Sequence, residues 1–174
     1  MRILETPTLT LEPQTVAHAG EMFVVLGDPA IYQYENEPPP SLDWLRARFA
    51  KLESRQSADG QQQWLNWVIR LPTAELIGFV QATVRPNRSA AIAYVLASAY
   101  WRRGLTRVAV DAMMAELAEH YRVRTFSAVL KRNNFRSVKL LERLGFTLAS
   151  VAEHVELQVA PDELSMYRHL DAAP

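Results

Sequence analysis

The chain has 174 residues, with 19 basic and 19 acidic side chains, no cysteine and 49% hydrophobic residues. That length fits one globular domain with a sizeable core, and the balanced charge gives no overall field toward nucleic acid or an anionic membrane. The absence of cysteine excludes disulfides, thiolate metal sites and a cysteine nucleophile.

Thr8 to Glu12 alternates like a half-buried strand, and Thr15 to Leu26 turns helical until Gly27-Asp28-Pro29 breaks the pattern. The run Glu35-Asn36-Glu37-Pro38-Pro39-Pro40 cannot be regular structure, because consecutive prolines remove donors and fix φ. Ser41 then caps a second helix with Leu42, Leu45, Phe49 and Leu52 on one stripe. Three segments rich in β-branched and aromatic residues follow, at Trp64 to Arg70, Leu76 to Val84 and Ala90 to Leu96, and short turns make an antiparallel meander the simplest connection.

A helix-patterned segment begins at Gly104 and reaches about Tyr121, with Leu105, Val108, Ala109, Ala112, Met113 and Leu117 facing inward. Thr125 to Leu130 reads as a strand, Ser137 to Leu144 as a short helix ended by Gly145, and Phe146 to Val151 and Leu164 to Leu170 as closing strands. The N-terminus has no signal-peptide pattern, and no run approaches the ~20 apolar residues of a membrane span, so a cytoplasmic location is expected.

The most informative stretch is Tyr100-Trp101-Arg102-Arg103-Gly104-Leu105-Thr106-Arg107, where strand gives way to helix. The first turn of a helix has N–H groups without intrahelical partners, at the positive end of its dipole. Phosphate is held well there, arginines reinforce the field, and Gly104 permits close approach or positive φ. This reads as a site for a phosphate-bearing cofactor.

The element order βααβββαβαββ, with Thr8-Leu9-Thr10-Leu11, Asp28-Pro29, Glu75-Leu76-Ile77-Gly78-Phe79, Trp101 to Thr106, Asn134-Phe135-Arg136-Ser137 and Leu141 to Phe146, resembles the GNAT superfamily of N-acetyltransferases. The nearest likeness is to its ribosomal-protein alanine N-acetyltransferase branch. The resemblance covers nearly the whole chain and implies a single acyltransferase domain over 1–174. It implies an α/β fold with a mixed, mostly antiparallel sheet of about seven strands flanked by helices.

The resemblance further implies that the amides of Arg102, Arg103, Gly104, Leu105, Thr106 and Arg107 hold the pyrophosphate of acetyl-CoA. The strand before them splays from its neighbour, so that backbone near Val95, Leu96 and Ala97 pairs with the pantetheine arm. Asn134 contacts the pantetheine region and Ser137 sits by the thiol end. The pattern departs at Arg102 and Thr106, where the family usually has small residues, and at Ala91, where the fourth strand often carries an acid.

Acetyl transfer needs a deprotonated amine, a polarised thioester carbonyl and a proton for the leaving thiolate. Without cysteine or a G-x-S-x-G elbow, direct attack in a ternary complex is expected, with an oxyanion donor among the backbone N–H groups of Val95 to Ala97. Glu35 and Glu37 are candidates to attract or deprotonate the amine, set against a plain solvated acidic turn. Tyr94 is a second catalytic candidate, set against a core aromatic. Asn134 and Ser137 have alternative readings as a helix cap and an early helix residue.

His18 and His120 fall on helices, and His154 with Glu153 and Glu156 lacks metal-ligand spacing, so no metal is implied. Trp44, Trp64 and Trp67 read as packing residues, one of them available to line an acceptor groove. The expected activity is N-acetylation of a protein N-terminus, amino acid or small amine. The alternative is an acyl-CoA-binding sensor or scaffold without catalysis. Nucleic-acid binding through Arg102, Arg103 and Arg107 ranks third. A sheet edge or the C-terminal strand offers a homodimer contact.

Overall fold

The computed structural model describes residues 1–34, 37–151, 153 and 159–170. Two short strands, β1 (Leu4–Glu5) and β2 (Thr10–Pro13), lead into helices α1 (Ala19–Val25) and α2 (Leu42–Glu53). The meander β3 (Gln63–Arg70), β4 (Leu76–Val84) and β5 (Ser89–Leu96) follows, then α3 (Leu105–His120), β6 (Thr125–Lys131), α4 (Phe135–Arg143), β7 (Thr147–Leu148) and β8 (Glu163–His169). The strands form one eight-stranded sheet in the order β1-β2-β3-β4-β5-β6-β8-β7. Among the described strands only β5 and β6 run parallel. The fold class is the expected one, with one strand more than the sequence suggested.

The alternation of the strands divides the core into two layers. Trp67, Val80 and Tyr94 form a cross-strand row on the face covered by α3, while Val68, Phe79 and Val95 form the next row on the face covered by α1 and α2. Helix α3 places Ala109, Val110, Met113, Met114 and Leu117 in the first layer. Leu45 and Phe49 of α2 join Ala19 and Met22 of α1 in the second. Ser41 caps α2 as expected, its Oγ accepting from Trp44 N–H at 3.1 Å.

Several boundaries differ from the sequence expectation. The first helix splits, because Thr15 and His18 form a reciprocal capping box that closes a short 3₁₀ turn before α1. Helix α4 starts two residues early, since Asn134 caps it by accepting from Ser137 N–H at 3.2 Å. The strand expected over Phe146 to Val151 shrinks to β7. The Ser-x-x-Glu pair Ser150 and Glu153 draws the backbone away, Ser150 N–H donating to the Glu153 carboxylate at 2.8 Å. Strand β8 is paired by β6 on one side and, at Met166–Tyr167, by β7 on the other. Among the described residues no helix is long and apolar enough to cross a membrane.

Candidate active site

The site originates in a break in the sheet. β5 and β6 pair only through Ser89–Thr125, Ala90–Phe126 and Ala91–Ser127. Beyond Ala91 the two parallel strands diverge, β5 running on to Leu96 and β6 to Lys131. Gly78 makes the departure of β5 possible from the other side, since a Cβ there would collide with the Val95 carbonyl oxygen. The Ala97 N–H donates to Ile77 O at 2.9 Å. In an antiparallel ladder the bonding direction alternates, so Val95 and Ala97 are spent on β4 while Tyr94 and Leu96 turn their amides toward the gap. Within the expected stretch near Val95, Leu96 and Ala97, the amide that faces the gap is therefore that of Leu96. The Leu96 carbonyl is already taken by the Trp101 indole N–H at 2.7 Å, leaving its N–H facing the gap.

After β5 the chain passes through a 3₁₀ turn at Ser98–Tyr100 and two left-handed residues, Arg102 (φ 63) and Gly104 (φ 77). Gly104 is the N-cap of α3 and no side chain caps the helix, so its first-turn N–H groups remain open. They open beside a cavity of about 500 Å³, lined by Leu96, Trp101, Arg102, Gly104, Thr106 and Arg107 on one side and by Arg136, Lys139, Leu140 and Arg143 of α4 on the other. Among the described residues no carboxylate lines it. The Arg136 guanidinium lies over the Trp101 ring at 3.7 Å from its centroid.

The side chains of Arg103 and Leu105 point elsewhere, which leaves the expectation for their amides untouched. Arg103 lies over the Tyr100 ring at 5.3 Å, and Leu105 packs against the core. The α4 cations went unnoticed in the sequence, although their i, i+3, i+7 spacing marks one helix face.

A second cavity, of about 480 Å³, lies on the α1 and α2 side, lined among others by Gln14, Tyr32, Glu37, Trp44, Arg48, Phe49 and Gln81. It meets the first at Ile31, Tyr34, Tyr94, Val95, Asn134 and Ser137, which line both. Tyr94 and Ser137 thus stand where the two cavities join. Burial pushes the Tyr94 phenol up to about 12, with a hydrogen bond shared with Ser137 pulling the other way. The phenol stays protonated at neutral pH, so it can donate a proton or hydrogen bond but cannot act as a base there. Glu37 is exposed at the second cavity. Glu35 and His154 lie outside the described residues. Trp44 is the tryptophan that lines the groove, whereas Trp67 is buried.

The residues 29–34 over this junction are anchored by Asp28, which sequence reading treated only as a helix breaker. Its Oδ2 accepts from Ser98 N–H at 2.7 Å and its Oδ1 from Ala30 N–H at 3.0 Å. Hydrogen bonds to Ser98 hold the Asp28 carboxyl below its usual range. Ala91 is the last residue paired to β6 and brings no carboxylate to the gap.

A split parallel pair, an uncapped helix start and a basic cavity form a consistent cradle. The sequence profile of the acetyltransferase (GNAT) domain matches residues 8–147. The chain belongs to the GNAT acetyltransferase family.

Solved structures similar to this GNAT chain include RimL, a ribosomal L7/L12 alpha-N-protein acetyltransferase in complex with coenzyme A, at TM-score 0.83 and 20% identity over 99% of this chain and 100% of that one. The ribosomal-protein-S5-alanine acetyltransferase from Vibrio fischeri superposes at TM-score 0.81 with 16% identity over 100% of both chains. The microcin C7 self-immunity acetyltransferase MccE, in complex with acetyl-CoA and AMP, does so at 0.78 with 16% identity over 95% and 94%. At these identities the likeness speaks to the fold. No curated protein sequence matches the chain.

Proposed function

We propose that this GNAT domain, taken as one unit over 1–174, is an acetyl-CoA-dependent N-acetyltransferase. It transfers acetyl directly to a primary amine of a protein N-terminus, an amino acid or a small amine. The observation that carries this reading is the meeting of two cavities, one basic and opening on a helix N-terminus, at Tyr94 and Ser137. The donor set fits a diphosphate: open amides at the start of α3, Arg102 and Arg107 beside them, and no opposing carboxylate among the described residues. Tyr94 and Leu96 offer backbone groups along the gap to an extended amide-bearing arm, in the manner of an added strand.

In the reaction the amine nitrogen bonds to the acyl carbon and the carbon–sulfur bond breaks. The Leu96 N–H faces the gap and is the candidate donor to the developing oxyanion. The proton lost by the amine passes to solvent or to the acidic loop, with Glu37 at the cavity and Glu35 beside it in sequence. The departing thiolate takes its proton from the Tyr94–Ser137 pair. No covalent acyl-enzyme is needed, and there is no cysteine to form one.

The test is mass-spectrometric detection of acetylated products after incubation with acetyl-CoA and a mixed amine and peptide library. Replacing Glu35 and Glu37 together by Gln lowers turnover or amine affinity about tenfold if either serves the amine. Unchanged kinetics remove that role. Ala91 favours a second reading, an acyl-CoA-binding sensor without catalysis, which shows cofactor affinity and no thiol release with any amine.

A further inference from the structure

The floor of the second cavity carries a feature that acetyl transfer itself does not require. After Pro13, the last residue of β2, the backbone N–H of Gln14 donates to Asn66 O at 2.9 Å and extends the ladder by one step. Asn66 is in register with Gln81, and Gln81 with Ala93. Cross-strand partners share a face, so Gln14, Asn66 and Gln81 set three carboxamides in one row. This row lies one step from the Val68–Phe79–Val95 row that α1 and α2 cover.

Gln14 is 5% exposed and Asn66 6%. Gln14 lines the cavity together with Gln81. Its Nε2 is buried without a hydrogen-bond partner among the described residues, and it is the one such side-chain atom among them. Native proteins rarely leave a buried donor unsatisfied. The terminal torsion of glutamine is broad and soft, so a small rotation turns the amide toward an oxygen in the cavity.

The charges around this cavity constrain what that oxygen can be. Among the described residues its only charged lining side chains are Glu37 and Arg48, and both are exposed. At the level of the carboxamide row the surroundings are neutral and apolar, with Leu45, Phe49 and Phe79 among the walls. A carboxylate brought there loses its hydration without gaining a buried counter-ion, whereas a neutral carbonyl oxygen asks only for an N–H.

We propose that Gln14 reads the acceptor, its Nε2 donating to a neutral carbonyl oxygen of the amine substrate. The site therefore takes amines that bear an amide or ester carbonyl in preference to the matching free carboxylates. The proposal rests on the reading of the second cavity as the acceptor site.

The experiment uses the full chain, wild type and Gln14→Leu, with acetyl-CoA and matched panels of amino-acid amides, free amino acids and amines of the same skeleton that lack the carbonyl. Thiol release gives kcat/KM for each member, calorimetry gives acetyl-CoA affinity, and thermal unfolding gives Tm. Wild type is expected to favour the amides about tenfold over the carbonyl-free amines, one hydrogen bond's worth of discrimination, and to favour them over the free acids, whose charge has no buried counter-ion there. Gln14→Leu is expected to bring the ratio of amides to carbonyl-free amines close to unity through a higher KM for the amides, with acetyl-CoA affinity unchanged. Its Tm without acceptor should be equal or higher, because an orphan polar group has been replaced by an apolar one of similar size.

Two results overturn the proposal while leaving the broader reading in place: a ratio of amides to carbonyl-free amines unchanged in Gln14→Leu, or a wild-type preference for the free acids. Acetyl-CoA binding with no turnover of any panel also overturns it, and favours the acyl-CoA-binding reading. A lowered Tm accompanied by an unchanged ratio assigns Gln14 a purely structural bond. If wild type fails to bind acetyl-CoA at all, the acetyltransferase reading falls and the acceptor assignment falls with it.

Discussion

Single atoms decide whether this site can exist. Gly78 has no side chain because the Val95 carbonyl occupies the space a Cβ would need, and both neighbours are backbone that cannot swing aside. Gly78→Ala is therefore expected to cost about 1–3 kcal/mol in denaturant unfolding and to weaken acetyl-CoA binding, since β5 must shift toward the gap. Tyr94 carries a different kind of constraint. Its folded-state pKa is raised from 10.0 to about 12, so the unfolded chain releases this proton first as pH rises. The contribution is fully present below about 10 and is lost as pH climbs through about 12. Tyr94→Phe should lack that part of the alkaline loss in pH-dependent unfolding. It should also lower kcat about tenfold or more with little change in KM for acetyl-CoA if the phenol serves the leaving thiolate. Unchanged kcat would assign Tyr94 to packing alone. The sequence pointed to both residues, one within a motif and one as a strand aromatic. It could not show that the Tyr94 phenol would be held protonated and so unable to act as a base at neutral pH.

At the scale of elements, what was local in the sequence was legible and what was assembled across the chain was not. The limits of β4 and the start of α3 followed from apolar alternation, turn residues and the Gly104 break. Strand β1 escaped because two residues, Leu4–Glu5, carry no period. The loop after Asp28 was legible as a break in a helix, yet its role comes from Ser98, 70 residues away. Asp28 uses both carboxylate oxygens, one for Ser98 N–H and one for Ala30 N–H. An Asn at this position has a single acceptor oxygen and must give up one bond. Asp28→Asn should raise KM for acetyl-CoA and for the amine together, because Ile31 and Tyr34 in the tethered loop line both cavities. A change confined to one substrate in steady-state kinetics would separate the loop from the junction.

For the molecule as a whole, the eight-stranded sheet does two things at once. Its continuous part, β2 to β5, buries Trp67, Ile69, Ile77 and Val80 and fixes the fold. The parallel pair β5 and β6, after three registered positions, opens a gap with an uncapped helix at its end. The order of strands and helices was readable because each is set by its own periodicity and breaks. The cavities were not, because Gln14, Ile31, Arg48 and the cations of α4 meet only after the chain has folded.

The cradle is rich in cations and, among the described residues, free of carboxylates, so its hold on a polyanion should weaken as ionic strength rises and the Debye length shrinks. The most direct measurement is calorimetric titration of the folded protein with acetyl-CoA at low and high salt. Saturable one-to-one binding, displaced by coenzyme A and weakened by salt, is the predicted result. No heat and no displacement at either salt concentration would contradict the account.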